Sequence, residues 1–270
     1  MLDHALIAAV AFGASALTFV SGFGLGTLLL PAFAAFVPLP VAIAATAVVH
    51  LANNMLKLDL VWGRGYAPTA RRFIPPAIAG SALGALALGV LGAVPPIMVY
   101  ALGASRHEIT PVKLTLAAVI AIFSLMELLP RWRETAFNPA LVPLGGFLSG
   151  FFGGLAGHQG ALRSAFLLRL GLSKEAFVAI GVLASVAVDA TRLTFYALAP
   201  VLVAGPSVMQ QARSIHQEGA WGLVGTGVTA SFLGTLLGRR LMKSASFAGI
   251  RILVGVMLLF FAFAVAAGLV

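Results

Sequence analysis

The chain has 270 residues, of which 60% are hydrophobic and 9% charged, whereas a soluble domain carries roughly 25% charged residues. That balance excludes a soluble globular protein and identifies an all-α integral membrane protein. The net charge of +9 is scattered through short connections, which excludes a nucleic-acid-binding face, and the absence of cysteine removes disulfides, thiolate chemistry and iron–sulfur ligation.

Leu2 to Phe36 is almost wholly apolar, and as one helix it would be about 50 Å long, well beyond a hydrocarbon core of about 30 Å. The run therefore breaks, and SGFGLG at Ser21 to Gly26 is the break, leaving a second arm that ends at Pro31 or Phe36. Ala14-Ser15-Ala16 mimics a peptidase site but lacks a basic n-region, so the segment is expected in the mature protein. Val41 to Trp62 is a second span. Its polar residues His50, Asn53, Asn54 and Lys57 follow i, i+3, i+4, i+7 and so share one helical face. Further spans are expected from Phe73 to Leu91 and from Pro111 to Leu129, with Arg131, Trp132 and Arg133 as an interfacial anchor.

The pattern then starts again. SGFFGGLAGHQGALR at Ser149 to Arg163 places Gly150, Gly153, Gly154, Gly157 and Gly160 in membrane-grade sequence. Each glycine costs roughly 1 kcal/mol of helix stability relative to alanine. A broken helix is expected here too, with its freed backbone groups lining a polar site at membrane depth. Ser149-Gly150-Phe151 answers Ser21-Gly22-Phe23. Asp189 to Arg192 answers Asn54 to Lys57 at an offset of 135 residues, and Ser231 to Gly234 answers Ser81 to Gly84 at an offset of 150. Three matches in one order indicate a duplication, with repeats at residues 1–135 and 136–270, four spans in each half and an insertion near Ala199 to His216.

Charge orients the repeats. If each glycine-rich first segment makes no net crossing, Arg64, Arg71, Arg72, Arg131, Arg133, Arg169, Lys174, Arg239, Arg240 and Lys243 fall on one side. Arg106, Lys113 and Arg213 fall on the other. Such asymmetry fits the positive-inside rule, inverted repeats with broken or re-entrant first segments, and both termini outside the cytoplasm.

A glycine-rich first helix, a polar second helix and a GSxLG-type third helix, given twice, resemble the sulfite exporter TauE/SafE family, also described as the four-toluenesulfonate uptake permeases. The resemblance is carried by SGFGLGTLLLPAF (Ser21 to Phe33), SGFFGGLAGHQGAL (Ser149 to Leu162), GSALG (Gly80 to Gly84) and SFLGTLLGRRL (Ser231 to Leu241). The usual GxGGG cluster is thinned here to Gly24, Gly26 and Thr27, and His158-Gln159 stands where further glycines are common. The resemblance implies a secondary transporter, in the exporting direction, for sulfite, sulfonates or organosulfur carboxylates, in the cell (inner) membrane and without a cofactor.

Lys57, Arg163 and Arg192 each cost about 2.5 to 3.5 kcal/mol to insert, so they are expected to face the interior. For the two arginines the functional reading is a bidentate clamp on a sulfonate or carboxylate, and for Lys57 a point charge. The alternatives are an ion pair with Asp189 or snorkelling. Helix arms restarting near Thr27 and Gly160 would aim positive dipole ends at the same anion, although the glycines could instead serve close packing. Asp189 is read as neutralising Arg192 or as a proton carrier, and His50 and His158 as hydrogen-bonding groups or relays. Asn53, Asn54, Gln159 and Thr191 are candidate donors to oxyanion oxygens.

The expected site thus comprises Gly24, Gly26, Thr27, His50, Asn53, Asn54, Lys57, Gly157, His158, Gln159, Gly160, Arg163, Asp189 and Arg192. A proton or sodium ion is the candidate coupling ion, and a homodimer the candidate assembly. A passive anion channel is the main alternative. A membrane-embedded enzyme with His50, His158 and Asp189 as metal ligands is a weaker one, since neither an HExxH pair nor a serine elbow is present.

Overall fold

The computed structural model describes residues 1–21, 25–61, 67–103, 105–129, 137–202, 220–241 and 248–270. It is helical apart from one short hairpin. The helices are α1 (Leu2–Ser21), α2 (Leu25–Ala34), α3 (Leu39–Val61), α4 (Ala67–Gly92), α5 (Pro111–Leu128), α6 (Val142–Ala156), α7 (Gly160–Leu167), α8 (Lys174–Leu202), α9 (Ala220–Leu241) and α10 (Ala248–Ala266). Among the described residues six segments are long and apolar enough to cross a membrane: five lie within α3, α4, α5, α8 and α9, and Pro139–Ala156 joins α6 to the 3-10 turn before it. Leu2–Ala16, Leu25–Ala34 and Ile252–Ala266 are shorter apolar helices.

Local sequence explains the helix ends. At the start of α5, the Thr110 side chain accepts from the Lys113 N–H at 3.2 Å and Pro111 occupies the first turn, where no N–H is needed. The α6 helix ends because Gly157 adopts φ +77, a left-handed conformation that glycine takes without a Cβ penalty. The Gly157 N–H bonds the Gly153 carbonyl at 2.9 Å, the bond of an αL cap, and the His158 N–H reaches back to the Phe152 carbonyl at 3.3 Å. The predicted interruption near Gly157 is therefore present, and α7 restarts at Gly160. In the first copy α1 ends at Ser21 and α2 begins at Leu25; Gly22 to Gly24, with the site residue Gly24, lie outside the described residues. So do Arg64, Arg131, Arg133, Arg213 and Lys243 of the charge tally and most of the 199–216 insertion.

The helices pair across the chain. The α4 helix packs along α6 and α8, α1 along α9, α3 against α8 and α9, and α5 against α10. The α4–α6 contact is the tightest. A β-carbon on Gly80 or Gly84 would collide with the Phe147 or Phe151 carbonyl oxygen, and one on Gly146, Gly150 or Gly154 with the carbonyl of Phe73, Ala77 or Ser81. Both sets of numbers rise together, so the helices run parallel with backbone against backbone. In lipid, where hydrocarbon gives no advantage to burying leucine, such small-residue contacts drive association. Gly234 meets the Phe12 carbonyl of α1 in the same manner.

Two apolar clusters flank the interior. One gathers α1, α2, α3, α5, α9 and α10 residues around Leu25, Leu29, Phe33, Val49 and Ile120. The other joins Phe73 and Ala77 of α4 to Val142, Leu167, Ile180, Ala184 and Val188. A weakly apolar stretch leads from α4 to α5. It forms an antiparallel hairpin of β1 (Met98–Leu102) and β2 (Ser105–Ile109), with Met98 opposite Ile109. Tyr100 Oη and His107 Nδ1 reach the carbonyls of Ala267 and Gly268, which ties the hairpin to the end of the chain.

Candidate functional site

The break between α6 and α7 lies against α8, and α8 carries the charged residues. One face of α8 presents Gly181, Ser185, Asp189, Arg192 and Tyr196, spaced three or four residues apart. Asp189 and Arg192 are 0% and 1% exposed. Asp189 Oδ1 lies 2.8 Å from Arg192 Nη2, near enough for charge pairing though misaligned for a hydrogen bond. Its other oxygen lies 2.6 Å from His50 Nδ1 of α3, and Gln159 Nε2 donates to Oδ1 at 3.4 Å. Asp189 thus has the neutralising contact with Arg192 that the i, i+3 spacing suggested, and a second partner, His50, that sequence did not disclose.

The guanidinium of Arg192 sits over the break. Its Nη1 donates to the Gly153 carbonyl at 3.4 Å, and a β-carbon at Gly157 would lie 2.9 Å from the same nitrogen. Four of the five buried side-chain nitrogen and oxygen atoms without a hydrogen-bond partner among the described residues are here: Arg192 Nε and Nη2, His158 Nε2 and Gln159 Oε1. An unmet buried polar group costs about 1 to 3 kcal/mol, so four in one place mark a polar interior. His158 donates Nδ1–H to the Ala156 carbonyl at 2.9 Å and stacks on Phe123 at 5.8 Å between ring centroids. Its Nε2 is therefore a lone pair in the neutral ring and a donor when the ring is protonated. The α7 helix starts beside these groups with no side-chain cap on its N-terminus, so its positive end is directed here.

The first glycine segment reaches the same place. A β-carbon at Gly26 would lie 3.6 Å from the Gly157 carbonyl and 3.9 Å from His50 Cδ2. Gly26, His50, Gly157, His158, Gln159, Gly160, Asp189 and Arg192 are thus brought together, with half-buried Thr27 in the first turn of α2. The glycines divide between the two roles left open above: Gly150 and Gly154 serve helix contact, Gly157 faces Arg192, and Gly153 packs against Val188 and Gln159 while its carbonyl accepts from Arg192.

The remaining predicted residues form a second group. Asn54 Nδ2 turns back to the His50 carbonyl at 2.9 Å. With the amide oriented so that each atom has a partner, Asn53 accepts from Lys57 Nζ at 3.1 Å and donates to Thr235 Oγ1 at 2.7 Å and the Ser231 carbonyl at 3.3 Å. Arg163 Nη1 donates to Ser185 Oγ at 2.7 Å. Thr191 bonds the Ala187 carbonyl within its own helix. Sequence reasoning missed Ser185 and Tyr196, whose hydroxyl donates to the Gly154 carbonyl. Their spacing of four from Asp189 and Arg192 was the available signal. Among the described residues, no three His, Cys, Asp or Glu side chains gather as a metal-ligand group.

The fold and this interior define a multi-pass membrane protein with charged groups held inside its helices. Residues 7–265 match the family described as Sulfite exporter TauE/SafE, and the chain belongs to that family of membrane transporters for sulfur anions. No curated protein and no solved structure matches the chain.

Proposed function

We propose that this protein is a secondary transporter that exports a small oxyanion or organosulfur anion, with sulfite, sulfonates and sulfur-containing carboxylates as its substrates. The anion binds between the two interrupted segments, against Arg192, His158, Gln159 and the backbone at Gly26, Gly157 and Gly160. The observation that carries this reading is the set of unfilled buried donors on Arg192 beside an uncapped helix start. A guanidinium edge and convergent N–H groups suit a sulfur oxyanion, which offers several acceptor oxygens and no bulk. A thermal-shift screen of the purified protein in detergent tests it. Sulfite or a sulfonate should raise the melting temperature in proportion to the logarithm of its concentration, whereas no shift with any sulfur anion contradicts the reading.

The same reading takes residues 1–135 and 136–270 as intertwined inverted repeats in the inner membrane. Support comes from reciprocal pairing: α4 of the first half packs on α6 of the second, and α9 of the second on α1 of the first. Movement of one half against the other would expose the anion alternately to each side, which separates a carrier from a passive channel. Asp189 and His50 are the candidates for proton coupling, since a proton on either weakens the hold on Arg192.

A further inference from the structure

One oxygen of Asp189, Oδ1, gathers two side chains that still have hydrogen-bonding atoms to fill. Arg192 Nη2 lies 2.8 Å from it, and Gln159 Nε2 donates to it at 3.4 Å. The same two residues meet again at Gly153. Its carbonyl accepts from Arg192 Nη1 at 3.4 Å, and a β-carbon there would lie 3.1 Å from Gln159 Cβ, so the glutamine side chain passes over that glycine. The main chain of Gln159 is fixed as well, since the Ser149 hydroxyl donates to its carbonyl at 2.9 Å. A carboxylate oxygen only accepts, so the amide atom facing Asp189 is the nitrogen and the free one is Oε1. Gln159 is 3% exposed. Among the described residues its Oε1 meets no donor, and Arg192 Nε and Nη2 meet no acceptor.

An unmet acceptor beside unmet donors is the complement of a ligand that has both. The sulfite dianion or an alkylsulfonate offers acceptor oxygens alone; it satisfies Arg192 and leaves Gln159 Oε1 unpaired. Charge narrows the class further, because Arg192 already shares its charge with Asp189, which favours a monoanion over a dianion. We propose that Gln159 makes this position select, among small sulfur oxyanions, a monoanion that also carries a donor hydrogen, such as hydrogen sulfite or a sulfonyl anion with an N–H or O–H on the group beside its sulfur. The sulfonyl oxygens take the Arg192 donors and the hydrogen is given to Gln159 Oε1. A site built to pair a donor rejects an analogue that lacks it, because its own buried atom is then left unmet. This inference narrows the substrate class of the transporter reading above and rests on it.

Sulfamate and methanesulfonate are the probes: both are tetrahedral sulfur oxyanions of single negative charge, and an amino group in one replaces a methyl group in the other. Calorimetric titration of the purified protein in detergent at neutral pH measures both. Sulfamate should bind the wild type at least about fivefold more tightly, the factor implied by leaving a buried acceptor unmet. In Gln159→Met protein, which keeps the reach of the side chain and loses its acceptor, the two affinities should become equal. A structural role alone would lower both affinities and preserve their ratio, and a preserved ratio overturns the inference. So does equal or tighter binding of methanesulfonate by the wild type, a result that depends on no variant folding. Binding of sulfite with neither probe bound also overturns it while leaving the transporter reading in place; no binding of any of the three overturns both.

Discussion

Gly157 and Arg192 lie against each other so closely that a β-carbon on the glycine would be 2.9 Å from Nη1 and would displace the guanidinium. The glycine also has φ +77, where an L-residue costs roughly 1 to 2 kcal/mol. Gly157→Ala should therefore lower stability by about that amount and reduce sulfite affinity by at least about tenfold, because the guanidinium must move. Gly26→Ala is the comparison. Its β-carbon meets only ordinary contacts at 3.6 and 3.9 Å, so the melting temperature should stay near wild type.

The Asp189–Arg192 pair predicts a non-additive result. Asp189→Asn leaves a buried guanidinium without its counter-charge, and breaking such a pair costs about 3 to 5 kcal/mol. The double substitution Asp189→Asn with Arg192→Gln removes both charges while keeping hydrogen-bonding amides in their place. It should recover most of that loss, read as the melting temperature of the three variants in detergent. A double variant as unstable as the sum of the singles would mean that the two residues are not coupled.

The α4–α6 contact makes a separate prediction about assembly. A methyl group on Gly150 would strike the Ala77 carbonyl, and backbone cannot step aside as a flexible side chain can. Gly150→Ala should destabilise by about 1 to 3 kcal/mol or more and lower the yield of monodisperse protein. Gly225→Ala, with nothing within 4 Å of its β-carbon, should be neutral.

These residues also indicate how far the amino-acid sequence could be read. The interruption at Gly157, the inward face of His50, Asn53, Asn54 and Lys57, and the Asp189–Arg192 pair were legible because each is local: a glycine run, a helical period, an i, i+3 spacing. The site as a whole was not. His50 and Asp189 are 139 positions apart, and their contact depends on how α3 crosses α8. Nor was the bond of Arg163 to Ser185, rather than to Asp189, legible, since it depends on how α7 lies against α8. The hairpin at Met98–Ile109 was hidden because Pro95 and Pro96 precede it and its exposed faces are mixed in polarity.

Counterflow of labelled sulfite tests most directly whether an anion is carried through the Arg192 position. Proteoliposomes are loaded with unlabelled sulfite and diluted into tracer, with the wild type compared against the charge-neutral Asp189→Asn, Arg192→Gln double variant. The account predicts a saturable, transient overshoot of tracer in the wild type and none in the double variant, although the latter is folded and inserted. An overshoot of equal size in both, or uptake that rises linearly with concentration and never saturates, would contradict it.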